Sequence, residues 1–251
     1  MLDVSGTDAL LALVALAAGT VDAIGGGGGL LTLPVLLAVG LPPHLALGTN
    51  KGQSVFGAAA ALVRFSRAGL IPLHRARWTF PLGFLGALLG ARLVLWVRPD
   101  VLRPVVLVLL VAAAVFVVLR PAVAGRRVPS AALGPAAALA FGVGVYDGFF
   151  GPGTGTLLIV GLAGLLALPL HQASAEAKVI NFASNLAATL LFAARGTVVW
   201  HTALSMAAGQ VLGGWIGAHL TVRGGERVVR WVVLCVVGAL VLKLSFDALR
   251  S

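Results

Sequence analysis

Lys178, Asn181 and Asn185 stand at i, i+3 and i+7, so they share one face of a helix. The stretch around them is largely apolar, and an ionisable group at such depth is costly unless it faces a cavity or a partner. A matching patch, Thr49, Asn50, Lys51, Gln53 and Ser54, lies earlier in the chain. Ammonium, amide and hydroxyl groups gathered this way suit the capture of a small anion. Other readings stay open. Either lysine could snorkel to a membrane interface, and an asparagine could serve only to join two helices. Glu176 could neutralise Lys178 locally, although residues two apart on a helix do not face each other.

Two glycine-rich breaks add a second kind of anion chemistry. Gly25–Gly29 is a run of five glycines, and Gly151-Pro152-Gly153-Thr154-Gly155 is its later counterpart. A helix starting after such a break offers unpaired N–H groups and a partial positive charge. Glycine also lets the backbone approach a ligand closely. Helices beginning near Leu30 and Thr156 make Gly27, Gly28, Gly29, Gly151, Gly153, Thr154 and Gly155 candidate anion contacts. The same glycines could instead serve tight helix packing. Asp22 and Asp147 precede the two breaks. Each could carry a coupling proton, cap a helix or sit in water at the interface.

No comparable case exists for metal or cofactor chemistry. His44, His171, His74 and His201 look like a ligand set, but no segment carries two histidines at ligand spacing. Cys235 is alone, which excludes an intrachain disulfide or a thiolate cluster. There is no G-x-x-x-x-G-K-[ST] loop for ATP, and no H-E-x-x-H, Ser/His or paired-carboxylate set for hydrolysis. Arg92 and His219 fall in glycine-rich segments and fit a helix contact.

These residues need elements to hold them, and composition says which. Of 251 residues, 59% are hydrophobic and 10% charged, with a mean hydropathy of +1.04. A soluble domain carries about a quarter charged residues, so this chain belongs in a lipid bilayer. Ten apolar segments follow, near 8–22, 28–40, 45–65, 77–97, 102–119, 131–147, 154–169, 174–194, 200–221 and 228–248. The segments 28–40 and 154–169 are short for a crossing of roughly 20 residues. Behind their glycine-rich breaks they read as broken or re-entrant helices. The amino terminus has Asp3 and Asp8 but no basic residue, unlike a secretory signal, so the first segment is expected to be retained.

The chain also repeats itself. A shift of 127 residues lays Pro42 on Pro169, His44 on His171, Lys51 on Lys178, Phe65 on Phe192, Gly69 on Gly196 and His74 on His201. The predicted fold is therefore an all-α polytopic membrane protein of about 8–10 transmembrane segments. It forms a single domain, residues 1–251, of two repeats at about 8–120 and 131–248. Each repeat has an odd number of crossings, so the second must run inverted. Charge agrees: residues 64–77 hold four arginines, whereas 191–204 hold only Arg195. Basic loops stay in the cytoplasm, which puts 64–77, 120–127 and 223–230 inside and both termini outside. The net charge of +10 thus sets orientation, and no nucleic-acid partner is expected. Inverted repeats with interrupted helices are a recurring transporter plan, with the substrate near the midplane between repeats.

The runs GGGGGLLTLPVLLAVGLPPHLALGTNKGQ (25–53), GFFGPGTGTLLIVGL (148–162), AEAKVINFASNLAATLLFAARGTVVW (175–200) and GQVLGGWIGAHL (209–220) resemble the sulfite exporter TauE/SafE family. The likeness covers nearly the whole chain. It implies a permease of the bacterial inner membrane for sulfite, sulfonates or related sulfur-containing anions. With no ATP loop in the sequence, an ion or substrate gradient is expected to drive it, and no cofactor is expected. An anion channel of the same fold is the nearest alternative, and an intramembrane enzyme the remote one. The expected partners are the anion and the lipid bilayer, and the sequence admits a homodimer.

Overall fold

Proline and glycine punctuate the apolar stretches, and the helices start and stop at them. The computed structural model describes the backbone of residues 4–119 and 133–248, and the side chains of 7–116 and 133–224. Arg120, Arg126 and Arg127, with the side chains of Arg227, Arg230 and Cys235, lie outside the described residues. The described elements are all helices: α1 (Val4–Gly25), α2 (Gly28–Ala38), α3 (Pro43–Arg67), α4 (Leu73–Trp96), α5 (Pro99–Leu119), α6 (Leu133–Phe149), α7 (Thr154–Leu166), α8 (Leu170–Ala194) and α9 (Trp200–Ala248). Pro43 opens α3 at a position where its missing N–H costs nothing, and Pro169 caps α8. Among the described residues, four helices are long and apolar enough to cross a membrane: Thr7–Gly25, Leu73–Trp96, Pro99–Phe116 and Leu170–Ala194.

The two short helices turn back. α2 has 11 residues and α7 has 13, so they reach only about 16 and 20 Å, against a hydrocarbon core of about 30 Å. Thr154 bonds Asp147 at one end of the α6–α7 pair, and Gly161 packs on Leu139 further along. The two helices are thus an antiparallel hairpin. α1 and α2 do the same, with Gly28 against Ala18 and Asp22, and Leu33 and Leu36 in one core with Leu11 and Ala15.

Repeat mates run in opposite directions. Near the start of α3, Gly48 meets Thr197 and Phe192 at the far end of α8, whereas Phe65 at the end of α3 shares a core with Ala175 near the start of α8. The turns after these helices match. Gly69 and Gly196 take φ of +70° and +66°, and Leu70 and Thr197 donate from N–H to the carbonyls of Phe65 and Phe192. This is a helix stop built on a left-handed glycine, formed identically in both repeats. The halves are also interleaved: α1 packs on α9 through Gly209, Gly213 and Gly217, and α6 packs on α4 through Gly86 and Gly90. Small residues let these backbones touch, as helices in lipid require.

One expectation needs correction. The apolar stretches 200–221 and 228–248 form one helix of 49 residues. No proline stands between them, and Gly224-Gly225 lowers helix propensity by only about 1 kcal/mol per residue. The structure therefore supplies no turn for the return crossing that an outside carboxy terminus would need.

Apolar packing gathers at the two ends of the α3/α8 pair. One core unites Leu47, Val94, Leu102 and Phe192; at the other end lie a core with Leu158, Leu162 and Ala177 and a small cluster around Phe65. Between these ends lies a layer of buried polar side chains.

Candidate functional site

Helix spacing brings the polar residues of α3 and α8 inward. Lys51 and Lys178 are 2% and 1% exposed, so neither snorkels to an interface. Each ammonium instead meets an aspartate of the opposite repeat. Lys51 Nζ lies 2.6 Å from Asp147 Oδ1, and Lys178 Nζ donates to Asp22 Oδ2 at 2.5 Å. The two pairs are related by the repeat, since Lys51 matches Lys178 and each aspartate precedes its own glycine-rich break.

Their surroundings differ. Asp147 is sealed: Thr154 Oγ1 donates to its Oδ1 at 2.7 Å, Ser184 Oγ donates to its Oδ2, and its side chain is 2% exposed. Asp22 is 24% exposed and, among the described residues, otherwise receives only the long N–H bond of Gly28 at 3.4 Å. Both aspartates thus brace the starts of the short helices as well as holding a lysine. Lys178 also donates to Asn181 Oδ1 at 3.3 Å, and Asn185 Nδ2 donates to the Asn181 carbonyl at 2.8 Å. Asn50 Oδ1 accepts from Thr32 Oγ1 at 2.5 Å and from Gln53 Nε2 at 3.1 Å.

A small cavity of about 20 Å³ opens among these groups, a little more than the ~10–15 Å³ that one water needs. Its walls include the expected Asn50, Lys51 and Ser54 from α3, and Asn181 and Asn185 from α8. Asp22 and Asp147 line it too, as do Gly28 and Gly29 at the start of α2. Gly151, Gly153, Thr154 and Gly155 close it from the second break. Both half-helices therefore aim their amino termini at one polar space. Gly28 N–H already bonds Asp22 and Thr154 N–H the Gly151 carbonyl, so it is the positive ends of the helix dipoles that favour negative charge there.

The second break holds left-handed glycines, with φ of +101° at Gly151 and +85° at Gly153. A Cβ at Gly151 would stand 2.8 Å from Lys51 Nζ and 3.2 Å from Asp147 Oδ1. The two breaks also cross. Gly26 lies directly on Gly155, and Thr156 N donates to the Gly26 carbonyl at 3.0 Å.

Three expected contacts do not line the cavity: Lys178 reaches it only through Asp22 and Asn181, which it bonds, and Gly27 and Thr49 fall elsewhere. Gly27 caps α2 with an ordinary negative φ of −150° and does not line the cavity. Thr49 Oγ1 accepts from Val199 N at 3.0 Å, at the end where α8 turns into α9. Its repeat mate Glu176 forms a buried ion pair with Arg75 at the opposite end, Arg75 Nε donating to Glu176 Oε2 at 2.8 Å. Glu176 therefore serves Arg75, not Lys178. The histidines scatter: His44 Nε2 contacts the Val94 carbonyl at 3.1 Å, His201 lies 3.6 Å from Asp8, and His219 Nδ1 accepts from Arg64 at 3.3 Å.

Sequence reasoning passed over Gln210, which reaches the cavity from α9 and packs on Gly57 and Gly19. Its signal was a buried amide within an apolar segment. It passed over Ser184 as well, because serine in a membrane helix commonly bonds its own backbone.

Apolar spanning helices, back-turned half-helices and a charged polar layer between antiparallel repeats define a polytopic membrane protein with transporter architecture. The sulfite exporter TauE/SafE family model matches residues 11–244, and the chain belongs to that family. It is 36% identical over 241 residues to the probable membrane transporter protein YfcA of Escherichia coli K12, covering 95% of this chain and 90% of that one. It is 36% identical over 245 residues to a probable membrane transporter protein of Haemophilus influenzae, covering 95% and 94%. A probable membrane transporter protein, ORF9, from a Sinorhizobium species is 35% identical over 244 residues, covering 95% and 92%. No solved structure matches the chain. The chain is thus a bacterial membrane protein of a transporter family.

Proposed function

We propose that this protein is a secondary transporter that carries a small anion across the bacterial inner membrane. The anion class is sulfite, an organosulfonate or a related sulfur-containing anion. Lys51 and Lys178 attract it, Asn50, Ser54, Asn181 and Asn185 orient it, and the N–H groups at the starts of α2 and α7 complete its cradle. The observation that carries this reading is a pair of buried lysines, one from each repeat: Lys51 lines a cavity at which both half-helices point, and Lys178 bonds two of its wall residues, Asp22 and Asn181. The family's name supplies the substrate class.

A carrier is favoured over a channel because the polar space holds little more than one water. Phe192 and Thr197 cover one end of the α3/α8 pair, and Arg75 with Glu176 covers the other. A conducting pore needs a continuous wet path. In the membrane, 64–77 faces the cytoplasm and the amino terminus faces outward.

The test is counterflow in proteoliposomes, with thermal-shift binding as its companion. Labelled sulfite, sulfate, thiosulfate, sulfoacetate and taurine are the panel. Expected is transient uphill accumulation of one labelled anion against its unlabelled form, and a melting temperature that rises with that anion's concentration. Flux that never saturates and shows no counterflow would point to a channel instead.

A further inference from the structure

Lys51, Asp147 and Asp22 on the cavity wall, with Lys178 paired to Asp22, leave the site with no net charge before any anion enters. The lysines are also already occupied, Lys51 by Asp147 and Lys178 by Asp22. An arriving anion therefore displaces a carboxylate, and a carboxylate left without its partner in a buried site is strongly disfavoured as an ion. We propose that the site loads one proton with each negative charge it takes, on Asp22 and Asp147, so that transport is electroneutral. This rests on the anion-transport reading above and adds the co-transported ion.

The exchange balances. The anion accepts the ammonium's hydrogen bonds, the released carboxylate takes a proton from water, and Lys⁺, Asp⁻, A⁻ and H⁺ become Lys⁺···A⁻ and neutral aspartic acid. On return, the anion leaves, the proton follows and the ion pair closes again. The unequal burial of the aspartates gives an order. Asp22, at 24% exposure, meets the first charge, and the sealed Asp147 meets the second charge of a dianion.

Among the described residues, no other titratable group on the neighbouring helices competes for these roles. Against Asp22 and Asp147, α3 and α8 present Lys51 and Lys178. Arg75 pairs with Glu176, Arg64 with His219 and Asp8 with His201. His44 meets a carbonyl, and His171 is half-buried at the start of α8. Arg67, His74, Arg77, Arg92 and Arg223 are exposed, and Tyr146 donates to the Pro152 carbonyl.

The experiment uses the full chain in sodium-free proteoliposomes with a potassium-clamped membrane potential and an internal pH dye. Labelled sulfite, thiosulfate and sulfoacetate are the probes. For the wild type, net anion flux should not change when a potential is imposed, and the interior should acidify as anion enters. Asp22→Asn and Asp147→Asn each remove one proton site, so their net flux should become voltage-dependent. Accumulation would then follow the potential by up to roughly 50-fold per 100 mV for one uncompensated charge. If the aspartates only hold the bundle together, both variants stay voltage-insensitive, and the proposal falls. Wild-type flux that follows voltage without proton movement also overturns it, while counterflow of the same probe leaves the anion reading standing. Absence of counterflow for all three probes overturns both.

Discussion

At the scale of single residues, the chemistry depends on partners that come from elsewhere in the chain. Lys51 and Asp147 are 3% and 2% exposed in their side chains, and removing one leaves a buried charge alone. That costs about 3–5 kcal/mol, whereas replacing both ions together is much less damaging. Lys51→Met should therefore lower the melting temperature sharply, and Lys51→Met/Asp147→Asn should recover most of the loss. Equal destabilisation in single and double variants would show that the pair does not couple. The lysines were legible in the sequence because the two repeats share them, and Asn181 and Asn185 because helix spacing puts them on the face of Lys178. The aspartates were legible only as positions beside the breaks. Their pairing with the opposite repeat was not, since no local spacing records which helices interleave.

At the scale of elements, the glycine breaks and helix ends decide what can approach the site and what closes it. Gly153 holds φ of +85°, where a β-branched residue is strained, and it lines the cavity. Gly153→Val should insert in the membrane yet lose anion transport. Normal uptake by well-expressed Gly153→Val would make the break a packing device. Gly27, with its negative φ and no place on the cavity wall, should tolerate alanine. The repeat equivalence of Thr49 and Glu176 makes the two closures unequal. One is a single hydrogen bond from Val199 N, worth about 0.5–1.5 kcal/mol, and the other is the buried Arg75–Glu176 pair. In a Cys235→Ser background, Glu176→Gln should speed labelling of a cysteine at Ser54 from the side where Ser66 lies. Thr49→Val should speed it from the side of Gly196. The same change from both sides would show that neither contact gates the site. The short helices were legible from length and flanking glycine. That they fold back on α1 and α6 was not, because a half-length apolar run fits either a broken crossing or a hairpin.

For the whole molecule, the inverted repeat was readable from the lysine and histidine matches and from the unequal arginine counts. Antiparallel α3 and α8 with matching glycine stops agree with it. The junction after Thr221 was misread, because a glycine pair with flanking charges resembles a turn and nothing local forbids a continuous helix. Trp78 and Trp96, both exposed, stand eighteen residues apart on α4, or about 27 Å. That spacing fits aromatic anchors at the two edges of a hydrocarbon core of about 30 Å. Orientation follows the arginines, so single cysteines near Ser66 and Gly196 should label from opposite sides, with Ser66 inside. Labelling from the same side would remove the inverted repeat.

The central claim is that both repeats hold one anion between them through Lys51 and Lys178. Its most direct measurement is anion affinity in detergent for the charge-neutral doubles Lys51→Met/Asp147→Asn and Lys178→Met/Asp22→Asn. These keep the site's net charge and spare the fold a lone buried ion. Each loses a charge-assisted hydrogen bond to the anion, worth about 1.5–3 kcal/mol, so binding should weaken roughly 10- to 150-fold in both. Wild-type affinity in both doubles would contradict the claim and leave the anion to the helix termini and asparagines alone.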